Sequence, residues 1–245
     1  MLDVHDLVKT YDALRAVDFL SLSVAPGEIL GLVGPNGAGK TTALRCITGI
    51  IPPTSGRVLI GGFDIESQAV EAKRLLAFVP DEPKLFDHLT TWDHVVVMSR
   101  IHGVADGHER GRQLLTELEL RDKLDSYPTE LSRGMRQKLM IALALLHRPR
   151  LLLLDEPLTG LDPAAMRAMR ERIAAVAAEG VAVILSSHIL PLVETLCSRI
   201  LIMGRGRMIL EGTLDGIRAA LPELGVEADL ESLFLKATEG ARTEE

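Results

Sequence analysis

A glycine-rich segment carries the clearest chemistry in this 245-residue chain. It reads GPNGAGKTT and matches the pattern GxxxxGK[ST], in which the backbone wraps closely around phosphate oxygens because glycine has no Cβ. In such a loop the ammonium of Lys40 reaches the β- and γ-phosphates, and the hydroxyl of Thr41 can ligate Mg²⁺. The sequence therefore predicts a phosphate-binding site, built from Gly34, Pro35, Asn36, Gly37, Ala38, Gly39, Lys40, Thr41 and Thr42.

Two acids, Asp155 and Glu156, directly follow the apolar residues 151–154. Ligands of open α/β sheets bind at the carboxyl ends of strands, so Asp155 is placed to hold Mg²⁺, directly or through water. Glu156 can orient or deprotonate an attacking water. Solvated acids at the end of a strand are the alternative interpretation, and the phosphate loop favours the metal and water roles.

These residues must be positioned by a fold in which strands and helices alternate. Apolar strands at 29–33, 151–154 and 181–186 are each followed by a loop and a helical stretch. This order predicts a largely parallel sheet that is covered on both faces. Residues 2–24 are β-rich, whereas residues 84–146 have helical spacing and form a predicted helical insertion.

Composition narrows the possible functions. Lys plus Arg is 27 and Asp plus Glu is 34, and the resulting formal charge of −7 disfavours a nucleic-acid binder. Cys46 and Cys197 form no CxxC pair, so we expect a reducing, cytoplasmic setting without a zinc or redox site. No signal peptide is visible, and the longest apolar run, 139–146, is too short to span a membrane. Any membrane role is therefore expected to come through a partner.

Further segments complete a recognisable set of motifs. LSRGM at 131–135, GLD at 160–162 and SH at 187–188 accompany the phosphate loop and LLLLDEP. In this order and spacing the chain resembles the nucleotide-binding subunit of an ABC transporter, over roughly residues 2–221. The resemblance implies an α/β fold with a P-loop NTPase (RecA-like) core, an N-terminal antiparallel β part and a helical subdomain.

The resemblance also implies domains, cofactors and partners. Residues 1–221 are expected to form the ATPase domain, with the helical subdomain at about 84–146 and an acidic tail at 222–245. The expected cofactors are ATP and Mg²⁺. The expected partners are a second copy, or a similar ATPase subunit, that meets the chain head to tail, and a separately encoded membrane permease, with no nucleic acid. Through the permease, the chain would be peripheral on the cytoplasmic face of the cell membrane.

Several residues acquire roles by matching the family's motifs. Taken alone, Ser132 is a plausible helix N-cap and His188 a structural histidine. The resemblance instead implies that Tyr11 stacks on adenine with Val17 beside it, and that Ser132 and Gly134 contact the partner's γ-phosphate. It implies that Asp162 couples the two sites. His188 is expected to contact the γ-phosphate, and Glu156 is expected to be the catalytic base.

The chain departs from the family pattern at two places. LSRGM stands where LSGGQ is usual, so Arg133 is expected either to contact phosphate or to face solvent or a partner. Asp81 stands where the family usually has a glutamine after a strand, and Glu82 is a second candidate for this position. Asp81 can ligate Mg²⁺ or a bound water. These departures, with LESLFL at 230–235, are similar to ATPases of bacterial type-2 ABC exporters.

Other functions remain open from the sequence. A soluble ATP-driven switch without a permease is the second hypothesis, and a scaffold that binds ATP without hydrolysing it is the third. The acidic tail is expected to be a solvated helix or a partner contact. Phe86 and Trp92 stand near Asp81, where the family docks its permease, so they are either partner contacts or local packing residues.

Overall fold

Residues 1–225 and 227–243, which the computed structural model describes, form two sheets flanked by helices. The strands, in chain order, are β1 (Leu2–Tyr11), β2 (Leu14–Val24), β3 (Ile29–Val33), β4 (Ser55–Ile60), β5 (Phe63–Asp64), β6 (Leu76–Val79), β7 (Leu151–Asp155), β8 (Ala182–Ser186), β9 (Arg199–Gly204) and β10 (Arg207–Gly212). The helices are α1 (Lys40–Ile47), α2 (Ala69–Leu75), α3 (Thr91–His102), α4 (Gly107–Glu117), α5 (Arg133–Leu146), α6 (Pro163–Ala178), α7 (Leu190–Leu196), α8 (Leu214–Ala220) and α9 (Leu230–Thr243). Single 3₁₀ turns lie at Arg121–Lys123, Pro128–Glu130 and Pro222–Leu224.

The larger sheet has the strand order β10-β9-β3-β8-β7-β6. All of its strands are parallel except β10, which pairs antiparallel with β9 at one edge. β3, β7 and β8 are buried along their whole length, as the apolar sequence of parallel strands requires. The predicted parallel sheet is confirmed. It brings the carboxyl ends of β3, β8, β7 and β6 to one edge of the molecule.

The smaller sheet, β2-β1-β4-β5, is antiparallel and comes from the N-terminal part of the chain. Its inner face packs with α1 against the larger sheet, around fully buried residues such as Leu20, Leu30 and Leu44. The predicted N-terminal antiparallel part is confirmed. Its position matters for function because the end of β1 and the beginning of β2 lie beside the loop that joins β3 to α1.

Helices α3, α4 and α5 lie within the stretch 84–146 for which the sequence predicts helices. Local sequence explains where two of them begin. Thr90 and Asp93 form a capping box at the start of α3, and the Ser132 hydroxyl accepts a hydrogen bond from the Met135 amide at the start of α5. The C-terminal half of α5 is buried against the larger sheet. None of the described helices is long and apolar enough to cross a membrane.

The C-terminal helix α9 packs on the fold, whereas the sequence predicts a solvated helix or a partner contact. Leu230, Leu233 and Ala237 are buried in a cluster with residues of α7 and β9. Their spacing places them along one face of the helix, so that face is core and the opposite face is solvated. Of the predicted tail 222–245, residues 226, 244 and 245 lie outside the described part of the chain.

Both cysteines pack in the interior as free thiols. Burial raises the pKa of Cys46 to about 11 and that of Cys197 to about 12, so both stay protonated near neutral pH.

Candidate functional site

The phosphate loop joins β3 to α1 and is closed by the side chain of Lys40. The Nζ atom of Lys40 donates hydrogen bonds to the carbonyl oxygens of Gly34, at 2.6 Å, and Pro35, at 3.1 Å. Burial lowers the pKa of Lys40 below its ordinary value of 10.5, while the nearby carboxylates of Glu156 and Asp155 act in the opposite direction. The loop thus holds a buried ammonium at its centre, where a polyphosphate would need one.

The first turn of α1 is open to an anion. Gly39 is its N-cap residue, and no side chain in the described chain caps this end of the helix. Uncapped amides and the helix dipole make such a helix start favourable for phosphate. Thr41 and Thr42 lie in the same turn, so a hydroxyl of the loop is presented beside the amides.

Gly39 is required by a close approach of two backbone segments. It has φ 99°, and a Cβ placed on it would overlap the carbonyl oxygen of Ala16. Gly37 has φ 81°, but a Cβ placed there would meet no atom of the described residues within 4 Å. Left-handed strain of roughly 1–2 kcal/mol therefore applies to alanine at both positions. Only Gly39→Ala adds steric overlap, whose cost is about 1–3 kcal/mol.

We therefore expect Gly39→Ala to lower the free energy of unfolding clearly more than the matched variant Gly37→Ala. Denaturant unfolding of both variants measures the difference. Equal destabilisation by the two variants would show that the contact between Gly39 and Ala16 does not constrain the loop.

A cavity of about 700 Å³, the phosphate-loop cavity, lies over this loop. Tyr11 forms part of its wall with 45% of the residue exposed, and Lys9 Nζ lies 5.1 Å from the centre of the Tyr11 ring. An exposed aromatic face of this kind can stack on a planar base. The predicted site residues that line the cavity are Tyr11, residues 36–42, Asp81, Asp155 and Glu156.

The structure corrects the expectation for Val17. Val17 is fully buried in the core between the two sheets, and Ala16 lines the phosphate-loop cavity instead. The register of β1 against β2 shifts at several points, including between Lys9 and Thr10. Because each shift interrupts the alternation of inward and outward side chains, the sequence pattern does not show which residue faces the ligand.

The acid pair lies where β7 ends beside β8. Asp155 is 3% exposed, and its Oδ1 accepts a hydrogen bond from Ser186 Oγ at 2.6 Å. Glu156 has φ 49°, in the left-handed region that costs a side chain with a Cβ roughly 1–2 kcal/mol. Its amide lies 3.1 Å from both the carbonyl oxygen and the hydroxyl of Ser186. These contacts hold Glu156 in a strained conformation at the cavity wall.

The carboxylate of Glu156 is paired with His188, which follows β8. Nδ1 of His188 lies 2.8 Å from Oε2 of Glu156, and the Thr159 hydroxyl donates to the same oxygen at 3.3 Å. Both side chains line a second cavity, of about 440 Å³, together with Gly34, Pro35 and Asn36 of the phosphate loop.

Asp81 and Arg133, the two departures from the family pattern, contact each other. Nη2 of Arg133 lies 3.1 Å from Oδ1 of Asp81, and about half of each side chain is exposed. Asp81 also lines the phosphate-loop cavity, whereas Glu82 lines a neighbouring one. The geometry therefore favours Asp81 over Glu82 as the acid on the metal side. Arg133 pairs within its own chain, and about half of its side chain still faces solvent.

A hairpin turn between β9 and β10 supports the phosphate loop, and the sequence analysis missed this role. The Gly206 amide donates to the carbonyl oxygen of Ala38 at 3.0 Å, and the Asp18 amide donates to that of Gly206 at 2.8 Å. Arg205 and Gly206 also line the phosphate-loop cavity. The sequence Gly-Arg-Gly predicts a turn, but nothing in it assigns that turn to a loop so distant along the chain.

Comparison with known proteins decides the family. A family model described as "ABC transporter" matches residues 17–159, which is more than half of the chain. The chain belongs to the ABC transporter family. Within that family it is an ATPase, and its P-loop NTPase fold is the one that the sequence analysis predicted.

Individual ABC transporter proteins are similar over most of the chain. "Nod factor export ATP-binding protein I" of Burkholderia thailandensis is 39% identical over 213 residues, which are 86% of this chain and 70% of that protein. "ABC-type transporter ATP-binding protein EcsA" of Bacillus subtilis is 32% identical over 97% of this chain and 96% of its own length. The solved "ATP binding subunit of ABC transporter" superposes with a TM-score of 0.90 and 35% identity, covering 97% of this chain and 99% of that one.

Three residues with expected roles across the ABC dimer lie away from the phosphate-loop cavity of their own chain. Ser132 caps α5, and Asp162 Oδ1 caps α6 by accepting from the Ala165 amide at 2.9 Å. Gly134 lies against Leu161, because a Cβ on it would come within 3.1 Å of that side chain. The start of α5 therefore does not line the phosphate-loop cavity of its own chain.

The phosphate-loop cavity fits ATP with Mg²⁺. Its size lies within the range of about 300–1,000 Å³ that small-molecule sites occupy. Thr41 and Asp155 present the hydroxyl and carboxylate oxygens that Mg²⁺ prefers. No three His, Cys, Asp or Glu side chains of the described residues form a metal cluster. A Mg²⁺ ion held by few protein groups would take its other ligands from phosphates and water.

Proposed function

We propose that this chain is the ATP-hydrolysing subunit of an exporter, in which two copies close head to tail around ATP and drive a separate membrane permease. The observation that carries the proposal is the pairing of Glu156 with His188, at 2.8 Å, beside the buried ammonium of Lys40. A protein that only binds nucleotide needs the phosphate loop but has no use for a carboxylate strained into this position.

Different residues of the chain bind the nucleotide and catalyse its hydrolysis. Lys40 and the amides at the start of α1 hold the phosphates, and Tyr11 stacks on the base. Glu156 orients the attacking water and accepts its proton, while His188 faces the γ-phosphate. Bound Mg²⁺ neutralises phosphate charge, with Thr41 and Asp155 as the residues that hold it. Catalysis is thus positioning and electrostatic stabilisation.

Head-to-tail closure supplies the groups that the single chain lacks at its own phosphates. Ser132 and Gly134 lie at the start of α5, where the helix dipole favours an anion, and they would present hydroxyl and amide groups to the partner's γ-phosphate. Asp162 caps α6 in the segment that follows Glu156, and it couples the two sites. The family membership supports this arrangement.

Export is favoured by the names of similar proteins. The first relative is named for Nod factor export, and a Bacillus subtilis protein that is 34% identical over 87% of this chain is named "Linearmycin resistance ATP-binding protein LnrL". Both names describe or suit outward movement of a compound. They support an exporter rather than an importer for this chain.

The permease docks, in this proposal, at an apolar groove between β6, α3 and α5. Its lining includes Phe86, Met98 and Met140, and Phe86 is 62% exposed. The Phe86 amide donates to Nε2 of His94 at 2.9 Å, and Nδ1 of His94 lies 2.7 Å from the carbonyl oxygen of Thr90. Burial lowers the pKa of His94, so the neutral ring fixes the segment that presents Phe86.

A tagged pull-down from detergent-solubilised membranes of the native host, followed by mass spectrometry, tests the proposal. We expect a multi-span protein at an amount close to that of the bait. Phe86→Asp is expected to lose it, whereas Val70→Asp, at a residue of similar exposure on α2, is expected to keep it. Recovery of soluble proteins alone, with the bait absent from membranes, would favour the soluble-switch function.

A further inference from the structure

Arg133 connects three segments that surround the ATP site. It begins α5, and its guanidinium lies 3.1 Å from Asp81, which follows β6. Its side chain also runs over Gly160, in the turn that follows Glu156. A Cβ on Gly160 would lie 3.2 to 3.4 Å from the Cδ, Nε and Cζ atoms of Arg133. The side chain therefore packs against the turn at Gly160, although about half of it is exposed.

Asp81 faces two partners from this position. One is the guanidinium of Arg133, and the other is the phosphate-loop cavity, where Thr41 and Asp155 supply oxygen ligands. The ion pair uses Oδ1 of Asp81, so the other oxygen could still ligate a cation, but the positive charge of Arg133 opposes a divalent cation at the same carboxylate. The neighbouring Arg136 does not replace Arg133, since it donates to the carbonyl oxygens of Pro128 and Leu131.

We propose that Arg133 is a positioning residue that competes with Mg²⁺·ATP for Asp81. While the pair is formed, Asp81 is held toward α5 and away from the metal. When Mg²⁺·ATP engages Asp81, Arg133 is released, and the start of α5 with Ser132 and Gly134 is freed to meet the partner's phosphates. The inference rests on the proposed head-to-tail function. Binding of Mg²⁺·ATP in one subunit would thus determine whether the start of α5 in that subunit can contact the other subunit.

The test measures how much Mg²⁺ strengthens ATP binding. The dissociation constant for ATP is determined by isothermal titration in excess EDTA and in excess Mg²⁺, in the Glu156→Gln background that prevents turnover. The factor by which Mg²⁺ lowers this constant is compared among Arg133→Gln, Arg133→Lys, Asp81→Asn and the double variant. Lys138→Gln is the matched control, because it removes an ion pair with Glu119 from the same helix away from Asp81.

We expect Arg133→Gln to raise this factor about 2- to 5-fold, the range for an exposed ion pair. Arg133→Lys and Lys138→Gln should keep the factor of the parent protein. The double variant should match Asp81→Asn, because without the carboxylate there is nothing to compete for. An unchanged factor in Arg133→Gln, or a gain in the double variant over Asp81→Asn, would overturn the proposal.

Failure of the proposed function would look different. A parent protein that binds Mg²⁺·ATP but stays monomeric in sedimentation velocity would contradict head-to-tail closure. Normal binding with a normal Mg²⁺ effect, but no response to Arg133→Gln, would contradict only the competition for Asp81. Sedimentation velocity of the same variants adds a second readout, since Arg133→Gln should form the ATP-dependent dimer at lower Mg²⁺ concentrations than the parent protein does.

Discussion

Replacement of Glu156 by glutamine is expected to stop ATP turnover while leaving ATP binding intact. The variant keeps the size of the side chain but removes the carboxylate that lies 2.8 Å from Nδ1 of His188. Loss of a general base lowers a rate by about 10²- to 10⁴-fold. Because ATP would then stay bound between two closed subunits, the dimer should persist.

Phosphate release measures the turnover of this variant, and sedimentation velocity with ATP measures the dimer. Glu171→Gln is the control, since Glu171 pairs with Arg167 on the exposed face of α6, away from the site. It should hydrolyse ATP at the parent rate. Full activity in Glu156→Gln would remove Glu156 from the role of the base.

Replacement of Lys40 by alanine is expected to lower ATP affinity about 10- to 100-fold. Hydrogen bonds to charged groups contribute about 1.5–3 kcal/mol, and Lys40 is the cation that the loop encloses. Isothermal titration with ATP measures the loss. Lys73→Ala is a matched control, because Nζ of Lys73 also donates to a backbone carbonyl, that of Gly49, at 3.2 Å outside the cavity.

Thermal unfolding separates a binding effect from a folding effect in Lys40→Ala. Lys40 Nζ closes the loop through two carbonyl oxygens, so a small loss of stability is expected. Undiminished ATP binding by Lys40→Ala, with Lys73→Ala unchanged, would show that the loop amides suffice without the ammonium.

The sequence predicts the parts of the site that follow directly from strand ends. The phosphate loop follows β3, and the acid pair follows β7. Parallel strands place their carboxyl ends at one edge, so the proximity of Lys40 to Asp155 and Glu156 could be inferred without coordinates. The sequence also predicts that a helix begins at Ser132, because a serine hydroxyl at this position can accept a hydrogen bond from an amide of the first turn.

Other contacts could not be inferred because they depend on packing between distant segments. Arg133 and Asp81 stand on different elements, and no periodicity relates them. Val17 and Asp18 of β2 are consecutive and both buried, and Phe19 beside them has φ 50°, so strand alternation fails at this point. The burial of α9 depends on the surface that α7 and β9 offer, and the acidic composition of the tail 222–245 gives no sign of it.

The left-handed backbone of Glu156 has a consequence for how this protein can change over generations. Glycine or asparagine would relieve the strain at φ 49°, so substitutions that remove the carboxylate also remove a burden on the fold. A selection for heat resistance alone would therefore enrich inactive proteins at this position. Retention of glutamate at position 156 requires continuous selection for ATP turnover. We therefore expect glutamate to be lost from this position in proteins that no longer need to hydrolyse ATP.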